Sequence, residues 1–207
     1  GYRTALESTI DESDGLIRTF NALLMIARAE SGQARDNMID FDASEVAHSI
    51  HELYEPLAED KGLTLGVEAD EATVHGNREL ISQALANLVE NAIKYGEPVG
   101  GDANHTNGAT PGNRPPDILI EARRADHGIE FSVADRGPGI PDADRQRAVE
   151  RFVRLEASRT KPGSGLGLSL ASAVATLHGG DLRLSDAHPG LRATLAIPRR
   201  DVEQKTA

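Results

Sequence analysis

The chain has no cysteine and no tryptophan, and only 3% of its 207 residues are aromatic. Without cysteine, disulfide bonds and thiol chemistry are excluded, which fits a reducing compartment. The chain has 22 lysines and arginines against 33 aspartates and glutamates, so its net charge is -11. Such a chain has no positive field to attract a phosphate backbone, so nucleic acid is excluded as an expected partner.

Long apolar runs are also missing, and a hydrophobic content of 39% is typical of a soluble protein with an aliphatic core. A length of 207 residues predicts one or two domains. The patterning predicts a long amphipathic helix at 1–32, a linker at 33–42, a compact unit at 43–198 and a charged tail at 199–207.

The first segment has the periodicity of an amphipathic helix that ends at Gly32. Its stripe of small and apolar residues recurs at threes and fours and comprises Leu6, Ile10, Ser13, Ile17, Phe20, Leu24 and Ala27. An apolar stripe of this length needs a cover. The following domain can supply one, but we expect a second copy of the chain to do so.

The compact unit reads as a mixture of helices and short strands. A helix capped by Asp42 or Ser44 runs to about residue 61, with its core positions at Val46, Ile50, Leu53 and Leu57. Asn77 is the predicted N-cap of a second helix. Residues 98–116 are rich in Gly, Asn, Pro and Thr, which predicts a surface loop.

A polar face lies along the helix after Asn77. Asn87 and Asn91 are four residues apart, so they share a face, and Lys94 and Tyr95 fall close to it. Neutral amide oxygens suit a hydrated Mg²⁺ ion, and an ammonium group suits the phosphates that such an ion accompanies. From these residues alone, a solvated helix face is an equally good interpretation.

A carboxylate is predicted on the core side of a strand end. The alternation of Ile129, Phe131 and Val133 places Asp135 on their side of the strand, where a charge is costly unless it is hydrogen-bonded. Gly137 and Gly139 follow and permit a tight turn close to a flat ligand. Asp135 therefore either forms a local turn of the Asx type or accepts from an exocyclic amine such as that of adenine.

The segment 141–162 is basic within an acidic chain, which marks a place where anions are handled. Its cations are Arg145, Arg147, Arg151, Arg154, Arg159 and Lys161, and Phe152 and Val153 are its main apolar anchors. Glycines at 163, 165 and 167 then open an apolar helix, whose free N–H groups would seat a phosphate. The spacing matches neither a Walker loop nor a dinucleotide fingerprint.

In order along the chain, NLVENAIKY, DRGPGI, ERFVR and GSGLGLS resemble the N, G1, F and G2 boxes of sensor histidine kinases. The resemblance covers about residues 43–198, and LLMIARAESG upstream resembles the end of the second helix of that family's dimerisation and phosphotransfer domain. It implies an α+β fold: a two-layer α/β sandwich of the histidine-kinase/gyrase-like ATPase type, preceded by one long amphipathic helix. ATP and Mg²⁺ are the implied cofactors, held under a mobile lid.

The resemblance also implies roles for individual residues. Asn91 is the main Mg²⁺ ligand with Asn87 assisting, and Arg154 meets the γ-phosphate side, so these three are the expected catalytic residues. The remaining expected contacts shape the adenine pocket, hold the lid or bind the phosphates, and they are Lys94, Tyr95, Asp135, Gly137, Gly139, Phe152, Gly163, Gly165, Leu166, Gly167 and Leu168.

The phosphoacceptor histidine of that family is expected on a first helix that lies outside this chain. His51 begins a similar H-E-L-x-x-P-L pattern, but it follows the second-helix signature and leads into the ATP-binding unit, so we reject it. The implied partners are ATP, a phosphoacceptor histidine domain and a response regulator, with a homodimer for the full-length protein. The expected location is the cytoplasmic portion of a membrane-bound sensor.

Two other functions share this nucleotide fold. In gyrase-like and MutL-like ATPases, a glutamate four residues before the Mg²⁺ asparagine activates water, but Asn87 stands at that place here. Glu90 is adjacent to Asn91 and points about 100° away on a regular helix, although it could still act through a neighbour. The third alternative is a non-catalytic nucleotide-binding or dimerisation module.

Overall fold

The computed structural model describes residues 2–31, 37–96, 115–155 and 164–199. Within these ranges the helices are α1 Tyr2–Glu30, α2 Ala43–Glu59, α3 Arg78–Tyr95, α4 Asp142–Ala148 and α5 Gly167–Leu177. The strands are β1 Ile39–Asp42, β2 Leu65–Ala69, β3 Thr73–Gly76, β4 Ile118–Ala125, β5 Gly128–Asp135, β6 Asp181–Asp186 and β7 Leu191–Pro198.

The main sheet has five strands in the order β2-β4-β5-β7-β6. The β2–β4 pair is parallel and the other three pairs are antiparallel. Helices α2, α3 and α5 pack side by side across one face of this sheet. Ile120, Phe131 and Leu195 are fully buried beneath them, and Phe131 lies directly opposite Leu195 in the register. The two-layer α+β sandwich is therefore confirmed.

The opposite face of the sheet carries a buried carboxylate that the sequence did not lead us to expect. Glu121 on β4 accepts hydrogen bonds from Arg123 Nε at 2.8 Å, from Ser132 Oγ at 3.1 Å and from Arg192. Burial alone raises the pKa of Glu121, but the hydrogen bonds from Arg123, Arg192 and Ser132 outweigh it and lower the pKa below its ordinary value. The network ties three adjacent strands together on the side away from the helices.

The predicted linker at 33–42 extends too far at its C-terminal end. Residues 39–42 form β1, which pairs antiparallel with β3 so that Phe41 lies opposite Val74. The pairing buries Phe41, and the Asp42 carboxylate accepts from Ser44 N at 2.9 Å and Ala72 N at 3.1 Å. The folded unit therefore begins before residue 43, because these contacts attach β1 to it.

Helix α2 confirms two of its four predicted core positions. Val46 and Ile50 are buried, whereas Leu53 is 66% exposed and Leu57 is 44% exposed. The buried face is completed by alanines, including Ala58, which let the helix approach its neighbours closely. Leu53 and Leu57 lie at the flank of that face and were wrongly assigned to the core.

Helix α1 packs on the compact unit through its last turns. Ile26 and Ala29 are buried and α1 lies against α5, whereas Ile17, Phe20 and Leu24 of the predicted stripe are exposed. The expected C-cap at Gly32 lies outside the described residues. Across the part of the chain that the structure describes, no helix combines the length and apolar character needed to cross a membrane.

Candidate functional site

Helix α3 holds the two asparagines against the start of α5. As predicted, Asn77 caps α3, since its side-chain oxygen accepts from Leu80 N at 3.1 Å. One turn of helix separates Asn87 from Asn91. The Asn87 Nδ2 group donates to the Gln83 carbonyl at 2.8 Å, which leaves its Oδ1 atom on the side of α5.

The N-terminus of α5 has no side-chain cap. A methyl group replacing the Gly167 hydrogen would lie 3.0 Å from Asn91 Nδ2, and 3.6 Å from both Asn91 Oδ1 and Asn87 Oδ1. Leu166 is fully buried and the partly buried Leu168 packs against the core, so apolar anchors fix this turn in place. The start of α5 therefore lies against the two carboxamides, so an anion at its free N–H groups and a cation at the amide oxygens would be neighbours.

Gly165 brings the basic segment to the same place. Its φ is +71°, a conformation that favours glycine, and a methyl group there would lie 2.9 Å from the Val153 carbonyl and 3.2 Å from Arg154 Cγ. Arg147 and Arg154 line an open cleft there together with Phe152 and Val153. The two guanidinium groups supply the positive charge that the sequence predicted for this segment.

Phe152 differs from the apolar anchor that we expected. Its φ is +62° and its N–H donates to the Gly165 carbonyl at 3.2 Å. The side chain is 59% exposed, so it does not anchor the segment in the core. Its predicted role in holding the lid stays a prediction.

Asp135 ends β5 beside the last turn of α3. Its Oδ1 atom accepts from Gly137 N at 2.9 Å and from Leu191 N at 3.2 Å, so the Asx-type turn is present. Among the described residues Oδ2 accepts no hydrogen bond, which leaves an acceptor for a ligand. Burial raises the pKa of Asp135, and the bonds from Gly137 and Leu191 oppose that rise.

Close backbone contacts join this turn to α3. A methyl group on Gly137 would lie 2.4 Å from the Tyr95 carbonyl and 2.9 Å from Gly96 Cα. A methyl group on Gly139, whose φ is +69°, would lie 3.0 Å from the Gly190 carbonyl. Lys94 Nζ lies 4.6 Å from the centroid of the Tyr95 ring, at the same end of the helix.

Sequence reasoning missed Gly190 and Gly96. Gly190 has a φ of +104°, and a methyl group on it would come within 1.8 Å of the Asp135 carbonyl. A Pro-Gly pair at 189–190 indicated only a turn, because nothing in a single sequence shows that the turn reaches Asp135. Gly96 is needed for a similar reason, since a methyl group added to it would lie 2.8 Å from Asp135 Cβ.

The structure therefore joins most of the predicted residues into one continuous surface. It runs from Asp135 along α3 to Asn87 and Asn91, and then through Gly167 and Gly165 to Arg154. Gly163, Arg159 and Lys161 lie outside the described residues.

Glu90 does not face this surface. Its Oε1 atom accepts from Tyr54 Oη on α2 at 2.6 Å, and burial together with Glu90 raises the pKa of the Tyr54 phenol. His51, rejected as a phosphoacceptor, lies on α2 itself, and its Nε2 atom is 3.1 Å from the Leu65 carbonyl. Both side chains serve contacts of α2 rather than the surface next to α5.

The donor set fits Mg²⁺ bound together with phosphates. In the described ranges no group of three or more His, Cys, Asp or Glu side chains could hold a metal ion by itself. Mg²⁺ commonly takes one or two protein oxygens and completes its shell with water and substrate phosphates. The carboxamide oxygens of Asn87 and Asn91, next to the uncapped α5, suit that mode of binding.

Comparison with known proteins gives a consistent result. Residues 76–201 match the family model described as histidine kinase-, DNA gyrase B-, and HSP90-like ATPase. Sensor protein IrlS of Burkholderia pseudomallei is 32% identical over 195 residues, covering 93% of this chain and 38% of that protein. Sensor-like histidine kinase SenX3 of Mycobacterium tuberculosis is 31% identical over 200 residues, covering 95% of this chain and 45% of that protein.

The solved structure of full-length ShkA in complex with AMPPNP has the same fold, with a TM-score of 0.68 at 23% identity over 95% of this chain and 39% of that one. The chain thus spans less than half the length of these curated relatives. The chain belongs to the histidine kinase-, DNA gyrase B- and HSP90-like ATPase family, and it carries the ATP-binding catalytic domain of a two-component sensor histidine kinase.

Proposed function

We propose that this chain binds Mg-ATP between α3 and α5 and transfers the γ-phosphoryl group to a histidine that lies outside it. A response-regulator aspartate would then receive the phosphoryl group. The single observation that carries the proposal is the position of Gly167, which brings the start of α5 against the two carboxamides so closely that a methyl group there would lie 3.0 Å from Asn91 Nδ2.

Asn91 is the proposed main ligand of Mg²⁺, and Asn87 assists. The Asn87–Gln83 hydrogen bond supports this role, because it uses the amide nitrogen and leaves the oxygen facing α5. When bound, Mg²⁺ neutralises charge on the phosphate oxygens and orients them for an in-line displacement.

Backbone N–H groups at the start of α5 hold the phosphates. Gly163, Gly165 and Leu166 lead into this turn, and Gly167 and Leu168 begin the helix. Arg154 places its positive charge on the γ-phosphate side, which its contact with Gly165 supports. Phe152 lies next to Arg154 and holds the lid closed over the nucleotide.

Asp135 accepts a hydrogen bond from the adenine amino group through Oδ2. Gly137 and Gly139 keep the floor of that pocket free of side chains, and the close backbone contacts of Gly137 with α3 support this role. Tyr95 and Lys94 lie near the nucleoside and the phosphates, respectively. Adenine specificity therefore depends on a carboxylate held in place by two backbone N–H groups.

Kinase activity is favoured over ATP hydrolysis because Asn87 stands where the gyrase-like and MutL-like ATPases have their water-activating glutamate. Phosphoryl transfer needs positioning and charge neutralisation more than it needs covalent chemistry from the protein. Tyr54 holds Glu90 on the α2 side, away from the asparagines. In this proposal the nucleophile is an imidazole on a separate helix.

We place this chain in the cytoplasmic portion of a membrane-bound sensor that acts as a homodimer. The exposed stripe at Ile17, Phe20 and Leu24 supports dimerisation, since a second copy or an additional helix would cover it. The curated relatives, which are described as sensor proteins and exceed this chain in length, support the assignment to a larger sensor.

The test is phosphoryl transfer between separate proteins. The chain would be incubated with Mg²⁺, with ATP labelled at the γ-phosphate and with an isolated dimerisation and phosphotransfer domain carrying the acceptor histidine. We expect acid-labile label on that domain, and none when its histidine is replaced by glutamine. Release of free phosphate at the same rate without an acceptor would contradict the proposal and favour an ATPase.

A further inference from the structure

His178 follows the last residue of α5 and lies far from the nucleotide surface. The backbone N–H of Asn77 donates to its Nε2 atom at 2.9 Å, and its Nδ1 atom lies 2.7 Å from the Val174 carbonyl. A backbone N–H can only donate and a carbonyl can only accept. The ring is therefore neutral, with its proton on Nδ1 and a lone pair on Nε2.

The contact completes the cap of α3 from another helix. In a capping box, the third residue of the helix is a Glu or Gln that accepts from the N–H of the N-cap residue. Here that third residue is Leu80, which is buried and has no acceptor. His178 supplies the missing acceptor to Asn77 across the interface between α3 and α5.

Two features adapt the surroundings to the ring. A methyl group on Gly76 would lie 2.8 Å from His178 Cδ2 and 2.9 Å from Nε2, so a glycine is needed for the ring to lie against β3. Burial lowers the pKa of His178, and His75 nearby lowers it further, against the opposing effect of the Val174 hydrogen bond. Both features favour a neutral ring in this position.

The contact lies at one end of a pair of helices whose other end is the proposed site. From Gly167 to His178 the chain advances roughly 16 Å at 1.5 Å per residue, and from Asn77 to the middle of the Asn87–Asn91 pair it advances roughly 18 Å. The two helices are thus held together at both ends. A shift of α5 at His178 would displace Gly167 from the carboxamides.

We propose that His178 is a positioning residue for the nucleotide site, fixing the register of α5 against α3 through the backbone N–H of Asn77. The inference rests on the proposed Mg-ATP site and adds a residue that touches neither the nucleotide nor the metal. His178 acts through the placement of Gly167 against Asn91, so its loss weakens Mg-ATP binding without removing any ligand.

Two substitutions separate the two hydrogen bonds of the ring. In His178→Gln, the carboxamide reaches the position of Nε2 and its oxygen accepts from Asn77. In His178→Asn, the shorter carboxamide reaches only the position of Nδ1, where it donates to Val174 and leaves the Asn77 N–H without an acceptor. Each variant keeps one bond and loses the other, but only the glutamine keeps the contact between helices.

The experiment measures Mg-ATP dissociation constants by calorimetry, at a temperature where thermal unfolding shows each variant to be fully folded. We expect the His178→Gln variant to bind within about threefold of the unmodified chain, and His178→Asn to bind roughly 3- to 30-fold more weakly. The gain in ATP affinity on adding Mg²⁺ should shrink in the asparagine variant alone. Equal affinities of the two variants would overturn the inference.

Gly76→Ala provides a second perturbation, which keeps His178 but pushes its ring and also presses on Ile81 Cδ1 at 2.9 Å. It should weaken Mg-ATP binding as His178→Asn does, and it decides the question if the asparagine variant does not fold. Unchanged affinity in Gly76→Ala would overturn the inference. Absence of nucleotide binding by the unmodified chain would instead refute the proposed function, and the inference with it.

Discussion

Gly167→Ala should separate nucleotide affinity from stability. Gly167 is the first residue of α5. In a helix interior, alanine is favoured over glycine by roughly 0.5–1 kcal/mol because alanine has less conformational freedom to lose on folding, and at a first position this gain is an upper limit. The added methyl group would lie 3.0 Å from Asn91 Nδ2, closer than an ordinary contact of 3.4–4 Å. The carboxamide must therefore move by a few tenths of an ångström, or α5 must retreat.

The expected effects have opposite signs. The free energy of unfolding in urea should stay unchanged or rise by up to about 1 kcal/mol. Affinity for Mg-ATP should fall by about tenfold or more, equivalent to about 1.4 kcal/mol, because the methyl group occupies the space between the metal ligands and the phosphate seat. Isothermal titration calorimetry and urea unfolding on the same preparation measure both quantities.

Gly62→Ala is the matched control. Gly62 follows α2 with a φ of +71°, and a methyl group there would meet no atom within 4 Å. We expect this variant to lose about 1–2 kcal/mol of stability through backbone strain and to keep its affinity for Mg-ATP. Unchanged affinity in Gly167→Ala, or equal losses of affinity in both variants, would refute the placement of the phosphates.

Two further predictions concern the carboxylates near α3. In Asp135→Asn, affinity for ATP should fall by about tenfold, since the amide replaces an acceptor of the adenine amine with a donor or a weaker acceptor. The raised pKa of Asp135 means that the folded state binds its proton more tightly than the unfolded state does. The stabilisation of the unmodified chain relative to Asp135→Asn is therefore complete below the ordinary pKa of the carboxyl group. It is lost as the pH rises through the raised pKa of Asp135. In Glu90→Gln, Mg-ATP binding and any background release of phosphate should be unchanged, because Glu90 faces Tyr54.

Each of these predictions has its own contrary outcome. For Asp135, we would measure unfolding between pH 4 and pH 7 and titrate with ATP and GTP. A stability difference that does not vary with pH would contradict the raised pKa of Asp135. An equal loss of affinity for both nucleotides would count against a role at the base. For Glu90, a large drop in phosphate release would assign it to water activation, and Tyr54→Phe would then test whether its orientation matters.

Local periodicity was sufficient for most of the fold. The N-cap at Asn77 and the strands on either side of Asp135 follow from short-range patterns, so a single sequence predicts them. Leu53 and Leu57 were assigned to the core because they continue the spacing of Val46 and Ile50. The structure exposes them, since the alanines of α2, and not its leucines, decide which face meets the sheet.

Long-range contacts account for the rest. Gly190 packs on Asp135 and His178 caps α3 through partners that are distant in the sequence, so no pattern of spacing could reveal them. The buried Glu121 is similar, because its partners Ser132 and Arg192 come from other strands. In the site itself, the sequence motifs identified the asparagines of α3 and the glycines at the start of α5. Only the packing of the two helices shows how close these residues lie to each other.

The most direct test of the central claim is ATP binding with and without Mg²⁺ by the unmodified chain and by Asn91→Ala. We predict that Mg²⁺ strengthens ATP binding to the unmodified chain and that Asn91→Ala abolishes this gain, while Asn87→Ala reduces it less. A thermal unfolding curve for each variant establishes that it is folded. If the chain has no affinity for ATP, or if Asn91→Ala keeps the full gain from Mg²⁺, the account is contradicted.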